Sequence, residues 1–143
     1  MIEFTIPLQP QPKGRPRMGR GRVHTPKKTQ AAEDAWCICA APHVPSEPIS
    51  GPVRIVFVFA MPIPRSWTKK KQAAARAREL KHTSKPDLDN LTKTAMDAMT
   101  RAGFWDDDSQ VYHVDASKRY TLPNEETRTF VRIRPPAGEV WPT

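Results

Sequence analysis

With 143 residues, 27% of them charged and 38% hydrophobic, the chain suits one soluble globular domain with a core of its own. Lys and Arg number 23 against 15 Asp and Glu, a net charge of +8, which points towards a polyanionic partner. No apolar run approaches the ~20 residues of a membrane span. The start MIEFTIPLQP also lacks the basic and apolar stretches of a signal peptide. A cytoplasmic address without a membrane partner is therefore expected.

Taken in chain order, Ile2, Phe4, Ile6 and Leu8 alternate with polar or small residues, which predicts a half-buried strand. Gln11 to Lys28 then carries seven cations and no acid. Its Gly/Pro/Arg part reads as a basic loop or loose hairpin arm, mobile without a ligand. In HTPKK, Thr25 can cap and Pro26 can open a helix to about Ala41, with Ala32, Ala35, Trp36 and Cys39 as its apolar stripe. Cys37 and Cys39 project to different faces of that helix, so reduced core thiols are expected rather than a disulfide or Cys-based metal site. A proline-rich connector leads to VRIVFVFAM (53–61), β-branched and aromatic on both faces, which predicts a central strand covered on both sides. Pro64 to Lys85 carries eight cations against the single acid Glu79. A basic helix is expected there from about Trp67 to Leu80, with Ala73, Ala74, Ala77 and Leu80 facing inward. DNLTKTAMDAMTRAG predicts a helix with Leu91, Ala95, Ala98, Met99 and Ala102 on one face and Gly103 as its stop. Strands over about 110–120 and 127–134 close the chain before a tail at 135–143. The expected architecture is a single α+β domain over 1–143, a mixed sheet packed with helices.

The acids gather in two short knots. KPDLDNLTK holds Asp87 and Asp89, and WDDDSQ holds Asp106, Asp107 and Asp108. If 87–89 is extended, its two carboxylates point to one side. Asp89 or Asn90 then caps the following helix, and Lys93 lies one turn on. The turn at Gly103 can bring Asp107 or Asp108 back beside the first pair. Convergent carboxylates repel unless a cation sits between them, and an all-oxygen set suits Mg²⁺ or Mn²⁺. Such an ion polarises a phosphoryl oxygen and generates hydroxide, while a nearby Lys stabilises charge on the phosphate. Either knot alone reads better as a turn or cap, and either basic cluster alone better as a solvated face. Two clusters together form the electrostatic footprint of a nucleic-acid binder. Asp97 is expected to pair with Lys93. The four His are scattered without ligand spacing. Trp36, Trp67 and Trp105 read as core or interface anchors rather than stacking platforms, and Trp67, beside the Lys run, is the one to suspect of stacking on a base. No Ser/His/Asp triad, Walker loop or dinucleotide fingerprint is present, so no nucleotide cofactor is expected.

The run KPDLDNLTKTAMDAMTRAGFWDDDSQV (85–111) resembles the signature of the RusA family of Holliday-junction resolvases, crossover-junction endodeoxyribonucleases of bacteria and phages. PKGRPRMGRGRVHTPKK resembles the N-terminal region of phage-type members, and the two stretches cover roughly a third of the chain. The resemblance implies a RusA-like fold and a homodimer that binds four-way DNA junctions. It further implies paired symmetric cuts that need Mg²⁺, with Mn²⁺ as a substitute, and that leave 5′-phosphate and 3′-hydroxyl ends. By position it puts the catalytic acids on Asp87, Asp89 and Asp108 and the essential lysine on Lys93, with Asp107 a weaker metal candidate. Asp106 stands where the pattern allows an apolar residue and receives no role. On this reading Arg15, Arg17, Arg20 and Arg22, with Lys69, Lys70, Lys71 and Lys85, contact DNA phosphates. Two rivals stand beside it. A structure-selective nuclease of the same fold would act on forks, flaps or branched phage DNA. A non-catalytic DNA-binding protein would be indifferent to Asp89→Asn.

Overall fold

The computed structural model describes residues 1–14, 17–19, 22–24 and 27–141, and for 17–19 and 22–24 the backbone alone. The elements run β1 (Ile2–Ile6), β2 (Arg17–Gly19), β3 (Arg22–His24), α1 (Lys27–Ala40), β4 (Val53–Met61), α2 (Lys69–Arg76), α3 (Leu88–Ala102), β5 (Val111–Tyr120) and β6 (Arg128–Arg134), with short 3-10 turns at Ala41–His43 and Asp108–Gln110. β2 and β3 pair antiparallel, Arg17 opposite His24, which makes the basic arm a hairpin. The remaining strands form one mixed sheet in the order β1-β6-β4-β5. β1 and β4 flank β6 antiparallel, and β5 lies parallel to β4. The fold is α+β, as the periodicities predict.

The continuous apolar run of β4 places it inside the sheet, between β6 and β5. Ile55, Phe57 and Phe59 turn to one face with Phe4, Ile6, Val131 and Ile133, and all are buried. α1 covers this face with Trp36 and Ala40, and α3 with Leu91, Ala95, Ala98 and Met99. The second face is only half covered, contrary to the expectation for β4. There Val56 and Val58 stand opposite Arg132 and Phe130, and the alternation of β6 makes this side amphipathic. The sheet is thus fully buried on one face only.

Two helices depart from the expected boundaries. α2 is shorter than 67–80: Thr68 caps it by accepting from the Lys71 N–H at 3.2 Å, and Arg78, at φ 65°, turns the chain away beyond Arg76. The cap and the early stop reset the inward face, so Ala75 is buried whereas Ala73 and Ala77 are exposed. α3 begins at Leu88, with Asp87 rather than Asp89 or Asn90 in the cap position. Asp89 therefore stands in the first helical turn, and the extended, same-side geometry expected for Asp87 and Asp89 does not form. Gly103 ends α3 at φ 97°, as expected. Thr25 and Pro26, the expected start of α1, lie outside the described residues. Cys37 and Cys39 are free thiols.

Candidate active site

α3 is amphipathic. While Leu91, Ala95, Ala98 and Met99 enter the core, Asp89, Lys93 and Asp97 recur every fourth residue and share another face. Across from them runs β5. Between the two lies an open groove of about 680 Å³, lined by Asp89, Lys93, Asp97 and Asp108 above Met96 and Ala116. Asp108 reaches the groove from the turn that opens β5.

That turn is held by its neighbours on both sides. Asp107 caps the 3-10 turn, its Oδ1 accepting from the Ser109 N–H at 2.9 Å. Gln110 completes the capping box, its Oε1 accepting from the Asp106 and Asp107 N–H groups at 3.0 and 3.2 Å. The Nε2 of the same amide donates to the carbonyls of Ile49 and Gly51 at 2.7 and 3.0 Å, which ties the acidic knot to the proline-rich connector. Asp107 is thereby committed to the turn, and hydrogen bonds from the Ser109 N–H and then the Ser109 hydroxyl hold its carboxyl below the usual range. Asp108 is pushed the other way. A hydrogen bond with Asp107 raises its affinity for a proton, and the nearby Asp107 and Asp97 charges act in the same sense, against Lys93. Gln110→Ala removes four hydrogen bonds from this knot. It is expected to lower the unfolding free energy by about 1–3 kcal/mol, read by urea denaturation, and unchanged stability would mean that other contacts hold the knot.

The first knot is presented differently. Lys85 and Pro86 are joined by a cis peptide, and Asp87 follows at the helix cap without a side-chain cap bond. Its carboxylate meets the Lys85 ammonium at 3.0 Å, with both side chains largely in solvent. Asp89 Oδ1 accepts from the Asn90 N–H at 2.9 Å. The loop before the helix is pinned from β5, where Lys118 Nζ donates to the carbonyls of Ser84 and Pro86 at 2.7 and 3.0 Å. Of the four groups assigned to catalysis, the groove brings together Asp89, Lys93 and Asp108. Asp87 remains one residue before the groove wall, on Lys85. Among the described residues no three His, Cys, Asp or Glu side chains stand close enough to hold a metal ion.

Asp97 does not pair with Lys93. Its Oδ2 meets the Lys13 ammonium at 2.5 Å, because Asn90 grips the Lys13 backbone from both sides. The Lys13 N–H donates to Asn90 Oδ1 at 3.1 Å, and Asn90 Nδ2 donates to the Lys13 carbonyl at 3.3 Å. Lys13, Gln110 and Lys118, and the grip of Asn90 on Lys13, are thus what sequence reasoning passed over. Asn90 and Gln110 lay within the quoted motifs, and an amide at a helix start or strand start is a recognisable anchor. Lys13 lay within the quoted basic stretch, but nothing in it pointed to Asp97, and for Lys118 the sequence holds no comparable sign.

Lys69, Lys70, Lys71 and Lys85 are exposed. Trp67 is half-buried and packs edge-on against Tyr120 at 5.3 Å, under the Lys71 ammonium at 4.0 Å. These contacts make it an anchor for α2 rather than a free stacking platform. His82 is buried against Tyr120, and burial, then Lys118, disfavours its charged form. Arg15 and Arg20 lie outside the described residues, as do the side chains of Arg17 and Arg22. No helix among the described residues is long and apolar enough to cross a membrane.

The family model described as Endodeoxyribonuclease RusA matches residues 7–134, from the end of β1 through β6. The chain belongs to the RusA family. It is 37% identical over 139 residues to a Bacillus subtilis (strain 168) protein named Uncharacterized protein YqaN, covering 93% of this chain and 95% of the relative. To the Crossover junction endodeoxyribonuclease RusA of Escherichia coli (strain K12) it is 33% identical over 108 residues, 76% of this chain and 74% of the relative. A protein of Lactococcus phage r1t, named Crossover junction endodeoxyribonuclease rusA, shares 29% identity over 114 residues, 80% and 72% of the two chains. The RusA match encloses the α3–β5 groove and both acidic knots.

Proposed function

We propose that this RusA-family chain is a metal-dependent endodeoxyribonuclease that resolves four-way DNA junctions by paired symmetric nicks, leaving 5′-phosphate and 3′-hydroxyl ends. The observation that carries the reading is the α3–β5 groove, where Asp89 and Asp108 face Lys93 in a chain related to crossover junction endodeoxyribonucleases. The donor set fits Mg²⁺, with Mn²⁺ as a substitute. It is all carboxylate oxygen, and the raised proton affinity of Asp108 beside Asp107 and Asp97 marks excess negative charge that a divalent cation relieves. Asp89 and Asp108 are the ligands of this reading, Asp87 joins them on leaving Lys85, and Asp107 is the weaker candidate because its carboxylate already serves Ser109. The ion supplies Lewis-acid polarisation of the phosphate and a hydroxide at neutral pH.

The remaining chemistry falls to the chain. Lys93, one turn after Asp89 on the same helix, neutralises charge that develops on the phosphate as the P–O bond breaks. Lys69, Lys70, Lys71 and Lys85, with Arg15, Arg17, Arg20 and Arg22 of the arm, bind the DNA backbone away from the cut. Two matched cuts in a two-fold junction call for two matched sites, hence a homodimer, acting on cytoplasmic DNA.

The test is cleavage of a labelled synthetic four-way junction with Mg²⁺, Mn²⁺ or EDTA, beside linear duplex, fork and flap substrates. Paired symmetric nicks that require metal are expected. Equal cutting of linear duplex, or preferred cutting of forks and flaps, would transfer the reading to a broader structure-selective nuclease. Junction binding without any metal-dependent cutting would leave a non-catalytic DNA binder.

A further inference from the structure

The charges of the groove do not balance on its nuclease groups alone. Asp89, Asp97 and Asp108 stand against Lys93, and a DNA phosphate entering the groove would meet all three carboxylates. Asp97 differs from the other two, since it carries its own cation. Lys13 Nζ lies 2.5 Å from Asp97 Oδ2, with the two side chains 28% and 26% exposed. The ammonium comes from a segment 84 residues away in sequence. It does not arrive by chance of side-chain reach, because Asn90 fixes the Lys13 backbone through both its N–H and its carbonyl. A lysine so mounted loses less conformational freedom in forming the pair than a freely moving surface lysine does.

Resting on the nuclease reading above, we propose that Lys13 is a positioning residue for the DNA phosphate, acting as the built-in counter-ion that silences Asp97. In its absence Asp97 becomes an uncompensated carboxylate two helical turns from Asp89, repelling the backbone that the groove must admit. The role is electrostatic and acts through Asp97, so the two side chains are coupled in a definite sense: removing Asp97 makes Lys13 dispensable. A purely structural latch behaves otherwise, since breaking it from either end does the same damage.

A double-mutant cycle on the full chain separates the two. The variants are Lys13→Met, Asp97→Asn, the pair together and Lys13→Arg. Each is measured for four-way-junction affinity in EDTA, for KM and kcat with Mg²⁺, and for its thermal midpoint. Lys13→Met is expected to weaken junction binding and raise KM by about tenfold with a smaller change in kcat. Asp97→Asn should leave affinity unchanged or tighter, the double variant should return to within about twofold of the parent, and Lys13→Arg should behave as the parent does. Equal losses in Lys13→Met, Asp97→Asn and the double variant would overturn the proposal in favour of a latch, as would an inert Lys13→Met. Because affinity is read without metal, an intact cycle in a protein that never cuts would refute the nuclease reading and keep the counter-ion. A parent protein that binds no junction at all would remove both.

Discussion

Asp89→Asn should abolish metal-dependent cutting of a four-way junction, lowering the single-turnover rate by at least about 10²–10³-fold, while the thermal midpoint moves by no more than a few degrees. Both halves follow from the position of the residue. Asp89 lies in the first turn of α3 with its carboxylate exposed, and among the described residues its one hydrogen bond is accepted from the N–H of the next residue. Asparagine keeps that acceptor oxygen and the shape of the side chain, so the fold loses only the exposed helix-dipole contribution of about 0.3–1 kcal/mol. What disappears is the negative charge facing Asp108 across the groove, and with it the electrostatic hold on a divalent cation. The loss should be only partly recovered by raising Mg²⁺. A variant that cuts at the parental rate would end the assignment of this groove as the nuclease centre. Junction affinity in EDTA should hold or improve, since a repelling charge has gone.

The largest effect on stability is expected at Trp105, immediately before the second acidic knot. The side chain is 1% exposed, its indole N–H donates to Thr100 Oγ1 at 2.7 Å, and its backbone bridges to Ile49 of the connector. Trp105→Ala opens a cavity and orphans the Thr100 hydroxyl, for about 3–5 kcal/mol out of the roughly 5–15 kcal/mol typical of a domain. Chemical denaturation should show the midpoint falling with an unchanged slope. Trp105→Phe, which retains most of the ring and forfeits only the bond to Thr100, should fall in between. A loss below about 1 kcal/mol for the alanine variant would mean that the site collapses around the gap.

The elements most legible in the sequence were those whose burial follows a strict period. The run 53–61 specified β4 to the residue, and the stripe of Leu91, Ala95, Ala98 and Met99 specified the body of α3, though its cap came two to three residues earlier than expected, at Asp87. Boundaries set by single side chains were harder. Thr68 as a cap and Arg78 in a left-handed turn shortened α2, and neither leaves a periodic trace. The approach of Asp108 to Asp89 was legible as a possibility, because one helix and a glycine turn separate the knots. The fate of Asp97 was not. Helical spacing pointed to Lys93, but the partner came from Lys13, 84 residues away, through an amide clamp that only the tertiary fold assembles. Lys118 went unread for the same reason, as its carbonyl partners in the cis-proline loop become neighbours only when β5 docks.

The parallel pairing of β5 with β4 has a consequence for the biogenesis of the protein. The stretch from Lys85 to Gln110 holds every acid of the two knots, yet the wall of the groove opposite α3 is β5, and β5 takes its place only beside a β4 that lies between it and the still later β6. A nascent chain emerging from the ribosome therefore displays every acid of the two knots well before it encloses a cleft between them. Competence to cut arrives late, with the closing strands and their long-range pairings. A chain that stalls or is clipped before residue 111 lacks β5 and with it the wall of the groove opposite α3.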